Sequence, residues 1–382
     1  MCGAGEVFTE PLCCHPEKFH DYPKCRLLYR CYISPAPKVV GLKRVLHVGP
    51  VESRGGMQAT IRHHLKHPPI DWITESINTH VDGSVLAKIN AWRIAKRELK
   101  SRLKNNPPDV VHIHTATSYS WWRKIRAVKL CINAKVPVIL QIHAGNFNSF
   151  LLNSNSVRTE FFKITSHQLV TPVALTPRHK KEIGLEKLQV IGSPAPSIRM
   201  IKTSNRDPNL MILLARPSPI KGHQLAIKVT QELRNRGHDV HLHLSGVSPD
   251  HKWVGALGPE QGIHARGWLT GEEKDELLTT AGLLLIPSDY EGMPVAAMEA
   301  LSCGLPVMAS PSCQGILGDG GIIVENLDSN EWADAIEKVL NDSVRWEKMA
   351  AAGPESVTQQ TPEMLGKQWA ELYQNSIQEL SE

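Results

Sequence analysis

The residues with the clearest chemical use lie in the run Ser288-Asp-Tyr-Glu291-Gly292-Met293-Pro294 and continue to Glu299. An apolar stretch, Leu283-Leu-Leu-Ile286, reads as a strand entering this loop. A helix is expected from Pro294, whose fixed φ and missing N–H cost nothing at a first helical position. Such a start turns free N–H groups and the positive end of the helix dipole toward the loop, which makes an anion site. Glu291 in the loop and Glu299 on the helix place two carboxylates beside it. The set suits a phosphate-bearing ligand that also carries hydroxyls. Two acids at this spacing alone would better fit an ordinary buried strand–helix unit with solvated side chains.

Three further groups could serve the same ligand. Arg216 and Lys221 follow the apolar run Leu210-Met-Ile-Leu-Leu214. Two cations at a strand mouth suit a pyrophosphate, Arg by a bidentate fork and Lys as a point charge. Gly55-Gly56 follows the strand run Arg44-Val-Leu-His-Val48, and only glycine lets backbone approach a ligand that closely, although a plain tight turn would read the same. His143 ends the run Pro137-Val-Ile-Leu-Gln-Ile142, at the strand end where open α/β sheets place ligands. His112 and His114 alternate in another strand, a pattern that reads as one packed and one exposed.

The elements needed to hold these groups follow from patterning. At 382 residues, two domains are expected, and strands alternate with helical stretches through both halves. The fold class is therefore α/β, two doubly wound Rossmann-like domains facing a central cleft. The boundaries read as an extension over 1–40, a first domain over 41–203, a second over 204–361 and a closing helix over 362–382. Thr270-Gly-Glu-Glu273 is a capping-box helix start. Cys13, Cys14, His15, His20, Cys25 and Cys31 lack the paired Cys spacing of structural zinc sites. Cys131, Cys303 and Cys313 read as buried small hydrophobes.

The pattern Glu291-Gly-x-Pro294-x-x-x-x-Glu299-Ala-x-x-x-Gly304-x-Pro306-Val resembles the donor-site signature of family-4 retaining glycosyltransferases, which have the GT-B fold. His114-Thr-Ala followed by Trp121-Trp122-Arg123-Lys124 resembles polysaccharide-assembly members of bacteria. Ala215 stands where the family has Gly before Arg216, and Gly192-Ser-Pro replaces its usual Pro-Asn-Gly. The resemblance implies transfer of a sugar from a nucleotide diphosphate to a hydroxyl, with retention. It assigns Glu291 to the sugar hydroxyls, Glu299 to the ribose, and His143 to the neighbourhood of the transferred sugar. Arg216, Lys221, Gly55, Gly56, Gly292, Met293 and Pro294 would surround the diphosphate, and Arg266, Gly267 and Trp268 the base. The closing helix would cross back to the first domain.

No Asp-x-Asp pair occurs, so no divalent metal and no other cofactor is expected beyond the nucleotide-sugar co-substrate. Residues 1–200 carry 29 Lys+Arg against 13 Asp+Glu, and residues 201–382 carry 14 against 25. The basic half fits contact with an anionic membrane or a lipid-linked acceptor, and it equally fits solvated helix faces. No apolar run reaches membrane-spanning length and no leader is visible, so a cytoplasmic protein, peripheral at the inner membrane face on the first of those readings, is expected. Nucleic acid is not expected as a partner, because aromatics do not interleave with a basic strip. Glycan, lipid-linked and small-molecule acceptors stay open, as do a nucleotide-sugar epimerase and a non-catalytic sugar-nucleotide binding protein.

Overall fold

The computed structural model describes residues 41–199, 201–255 and 257–378. The expectations for residues 1–40, including the cysteine-rich extension, lie outside the described residues. From Lys43 on, the chain forms one compact unit with two sheets, each of six strands and each wholly parallel. The first sheet contains β1 (Lys43–Gly49), β2 (Trp72–Asn78), β3 (Val110–Thr115), β4 (Val138–Ile142), β5 (Val170–Ala174) and β6 (Gln189–Val190), in the order β2-β1-β3-β4-β5-β6. The second contains β7 (Asp207–Leu214), β8 (His241–Ser245), β9 (Ile263–Gly267), β10 (Ala281–Ile286), β11 (Val307–Ala309) and β12 (Gly321–Ile323), in the order β12-β11-β10-β7-β8-β9.

Inner strands of such sheets are covered on both faces and become continuously buried, as β4, β5 and β10 are. The order reverses between β1 and β3 and between β7 and β10. Those switch points are where ligands enter a doubly wound sheet, beyond the carboxyl ends of the strands. Gly49 and Thr115 end the first pair, and Leu214 and Ile286 end the second.

Helices form where the apolar spacing predicts them. In His223–Asn235, Val229 and Leu233 are buried and Leu225 is partly buried against the same core. Thr270 caps Gly271–Thr280 in a reciprocal capping box with Glu273. The last helix, Pro362–Gln378, lies on the first sheet rather than the second: Leu365, Trp369 and Tyr373 join Val45, Val110, Ile139 and Val173 in one apolar cluster. Cys131, Cys303 and Cys313 are all buried and free.

Two local expectations need correction. Pro294 is the N-cap of Val295–Ser302, not its first residue; its ψ of 118° is extended, and its carbonyl accepts from Ala297 and Met298. His112 and His114 are both buried, not one in and one out. Both lie on the face of β3 that Pro362–Gln378 covers, and a covered face exposes no alternate residue.

Candidate functional site: a cleft between the two switch points

Around β7 and β10 the loops pack backbone to backbone. Lys221 and Gly222 lie just beyond β7, and a Cβ at Gly222, whose φ is +69°, would meet the Pro287 carbonyl at 2.0 Å. That contact fixes where Lys221 projects. Its Nζ donates to Glu291 Oε1 at 2.6 Å, an ion pair that is largely buried on the Glu291 side. Glu299 is paired as well, with Lys274 Nζ at 2.6 Å, a partner the sequence did not mark. Both carboxylates are therefore neutralised locally. Arg216 is exposed and has no ion pair among the described residues. Helix Val295–Ser302 adds its first N–H groups on the same side.

The first sheet closes on this loop with very little clearance. A Cβ on Gly145 would meet the Glu291 carbonyl at 2.0 Å, and one on Gly292 the His143 carbonyl at 2.2 Å. Glycine is required at both places because main chain lies against main chain. Ser193 Oγ donates to the Met293 carbonyl at 3.2 Å, and Met293 Sδ lies 3.0 Å from the position of a Cβ on Gly192. The structure thus brings His143, Lys221, Glu291, Gly292 and Met293 together.

Gly55 (φ +142°) caps helix Gly56–Lys66, and Gly56 faces the Val295 side chain. Arg54, next to this loop, stacks its guanidinium 5.2 Å from the ring of Trp268, which joins the glycine loop to the strand-end segment Arg266-Gly267-Trp268. Arg266 turns to His243 at 3.3 Å, and Gly267 has φ +63°. Glu299 is tied by its salt bridge to another helix, Gly271–Thr280.

Behind His143 lies a group that the sequence did not reveal. His47 on β1, His112 and His114 on β3, and His64 on helix Gly56–Lys66 form a buried column of imidazoles. His47 Nδ1 and His114 Nε2 are 3.0 Å apart, and His114 Nδ1 and His143 Nε2 are 3.0 Å apart. His112 bonds Tyr373 Oη at 2.8 Å and Gln141 Oε1 at 3.1 Å. Burial holds all five rings neutral: His47 and His143 are each pushed down to about 3, and His64, His112 and His114 lie well below the usual histidine range. Ring nitrogens of His47, His112 and His114 lie within 4.8 Å of one another, close enough to consider a metal. Ligation would cost existing bonds, however, because His112 and His114 already use both nitrogens. The donor set fits a hydrogen-bonded column better than a metal site. A signal did exist in the sequence. His47, His112, His114 and His143 all fall on one parity of adjacent parallel strands, as the register His47↔His112 and His114↔Gln141 records.

Trp121 packs against Phe147 and Phe161 in the core, while Trp122 stays partly exposed. A hollow beside the Glu291 loop is lined by Gly145, His179, Ser288, Glu291 and Ser310.

Comparison with known proteins bears on both halves. Residues 195–356 match the family described as glycosyl transferases group 1, and residues 71–169 match that described as glycosyl transferase 4-like. The chain is 27% identical over 176 residues to alpha-D-kanosaminyltransferase of Streptomyces kanamyceticus, covering 44% of this chain and 46% of that one. It is 29% identical over 165 residues to D-inositol 3-phosphate glycosyltransferase of Corynebacterium aurimucosum, with 39% of each chain covered. The chain thus spans less than half the length of either curated relative. Sucrose-phosphate synthase from Thermosynechococcus elongatus superposes with a TM-score of 0.68 at 14% identity, over 87% of this chain and 98% of that one, which shows a shared GT-B fold.

Proposed function

From a chain that belongs to the glycosyltransferases, through group 1 over residues 195–356 and the 4-like family over 71–169, we propose a metal-independent, retaining enzyme. It moves a sugar from a nucleotide diphosphate to a hydroxyl of a glycan or lipid-linked acceptor in cell-surface polysaccharide assembly. The observation that carries this reading is the Lys221–Glu291 pair at 2.6 Å, set against the His143 strand end by the Gly145 and Gly292 contacts. Residues from about 204 to 361 hold the donor, and residues 41–203, closed by the helix from Pro362, hold the acceptor.

In this mechanism Arg216, Lys221 and the first N–H groups of Val295–Ser302 take up the charge that develops on the departing diphosphate. Preorganised charge of this kind often supplies the largest share of catalysis. The cations occupy the role that a metal plays elsewhere. Glu291, held in place by Lys221, accepts hydroxyls of the transferred sugar, and Glu299 accepts from the ribose. Arg266, Gly267 and Trp268 border the base, and Gly55 and Gly56 give backbone access to the phosphates. The acceptor's proton passes to the leaving phosphate on the same face, so no protein nucleophile is invoked.

His143 is positioned by the column behind it. Among the described residues His47 Nε2 has no partner, and a buried lone pair is tolerated better than a buried orphan N–H. The column therefore runs from His47 Nδ1–H to His114 and from His114 Nδ1–H to His143, which leaves His143 with Nδ1–H as its remaining donor.

Membrane contact is part of the same proposal. In helix Val85–Asn105, Val85, Leu86, Ile89 and Ile94 are exposed among Lys88, Arg93, Lys96 and Lys100. Apolar residues flanked by bases suit an anionic bilayer surface. Among the described residues no helix is long and apolar enough to cross a membrane.

A screen of UDP-, GDP-, ADP- and dTDP-sugars for nucleotide release tests the donor reading. Release from one donor by the wild type, lost in Arg216→Ala, Lys221→Ala and Glu291→Ala, is expected. No release, with equally weak nucleotide binding in all four proteins, sinks it. Flotation with vesicles containing anionic lipid tests the membrane contact, and an unbound protein would remove that element.

A further inference from the structure

Helix Gly271–Thr280 carries one lysine among four acids, Glu272, Glu273, Asp275 and Glu276. Acids suit the start of a helix, where the dipole is positive, and a lysine there works against it. Lys274 does not serve its neighbours along the chain. Asp275 is held by Arg199 at 2.6 Å, and Glu273 closes the capping box with Thr270. The Nζ of Lys274 crosses instead to helix Val295–Ser302 and donates to Glu299 Oε1 at 2.6 Å. With 39% of the lysine side chain exposed, such a pair adds little to stability. What it changes is the freedom of Glu299.

A glutamate side chain free to rotate loses that freedom when it accepts from a ligand, and the loss weakens binding. The lysine orders Glu299 beforehand. Oε1 is engaged, while Oε2 has no hydrogen bond among the described residues. A carboxylate oxygen can accept more than one hydrogen bond, so Oε2 and the remaining lone pair of Oε1 stay available on one fixed group. Two neighbouring hydroxyls on a five-membered ring match that pair of acceptors. The segment Arg266-Gly267-Trp268 belongs to the same unit: Gly271 follows Trp268 by three residues, and Leu269 between them is buried in the core. Lys274 therefore couples the chain that borders the base to the carboxylate assigned to the ribose.

We propose that Lys274 is a positioning residue that sets pentose specificity. By fixing Glu299 it makes the site select a ribonucleoside diphosphate, with both ring hydroxyls, over the 2′-deoxy counterpart. This rests on the transferase reading, which gives Glu299 to the ribose. It goes further in assigning the discrimination to a residue of another helix and in excluding dTDP-sugars as donors. Lys274 acts through Glu299 and makes no contact with the nucleotide that the selectivity needs.

Calorimetric titration of the full chain with UDP, GDP and ADP, and with dUDP, dGDP and dADP, tests this. For the base that binds, the wild type should hold the ribose form about tenfold or more tighter than the deoxy form, the scale of one charge-assisted hydrogen bond. Lys274→Met should bring that ratio below about threefold, with the deoxy form changed by less than about twofold, and Lys274→Arg should keep most of the preference. Equal weakening of both forms in Lys274→Met marks a merely structural lysine and overturns the proposal, as does an unchanged ratio. In a Glu299→Gln background, adding Lys274→Met should leave the ratio where it is, because the lysine acts through the glutamate. A further fall there makes Lys274 a direct contact and overturns the positioning role. Wild-type protein alone already decides part of the question: nucleotide binding with no pentose preference, or turnover of a dTDP-sugar in the donor screen, overturns this inference and leaves the transferase reading standing. Binding of none of the six nucleotides removes both.

Discussion

Acidification should unfold this protein well before its carboxylates titrate, and the histidine column sets the scale. His47, His64, His112, His114 and His143 are neutral in the fold because burial depresses each pKa far below 6.5. Unfolding returns each ring to water and an ordinary pKa. The folded value lies below the unfolded one, so this stability is present above about pH 6.5 and is lost as pH falls toward the folded values. At pH 5 each ring disfavours the fold by about 2 kcal/mol, and five of them by about 10 kcal/mol. That equals most of the roughly 5–15 kcal/mol by which domains are stable. Urea unfolding followed by circular dichroism at pH values from 7.5 down to 5 gives the proton uptake as the slope of stability against pH. Tryptophan emission adds a local probe, since Trp369 packs on His64 and His112. About seven protons should be bound on unfolding near pH 5.5, between four and five of them by the column and the rest by His63, His223 and His243, each lowered to about 4 by burial. Uptake of fewer than about four would refute the neutral column.

Other perturbations test the parts separately. Tyr373→Phe removes the phenol that partners His112 Nδ1, and should cost roughly 1–3 kcal/mol in urea unfolding. Gly292→Ala places a methyl 2.2 Å from the His143 carbonyl; far-ultraviolet circular dichroism should stay native while sugar transfer is lost. Lys221→Met should lower kcat by about 10²–10³, with a smaller change in nucleotide affinity, because it removes both the phosphate charge and the partner of Glu291. Equal losses in kcat and in nucleotide binding would instead make Lys221 a binding residue only.

The parts legible in the sequence were those built from neighbours along the chain. The loop from Ser288 to Pro294, the glycine at 304 and the capping box at Thr270 each fit within one turn of backbone, so residue type and spacing identify them. Even there the helix start was misplaced by one residue, because proline serves as an N-cap or at N1 and the choice depends on its ψ. The histidine column was not legible in the same way. Its members come from β1, helix Gly56–Lys66, β3 and β4, and nothing local says that those strands adjoin in that register. Lys124 entered the sequence reading only as the end of the Trp121-Trp122-Arg123-Lys124 run, and only packing shows that its side chain is buried. Lys274 likewise gains its meaning from an ion pair to Glu299 on another helix.

The return of Pro362–Gln378 to the first sheet bears on how such proteins can be recombined. Exchanging the second sheet between relatives, so as to graft a new donor preference, would naturally be done by cutting near residue 204 and replacing everything after it. That cut discards Trp369 and Tyr373, the cover of the histidine face, and installs a stranger's helix on β1 and β3. The heritable module is discontinuous: residues 43–203 and 362–378 should travel together. Hybrids with two junctions should accumulate as soluble protein where single-junction hybrids from the same parents aggregate.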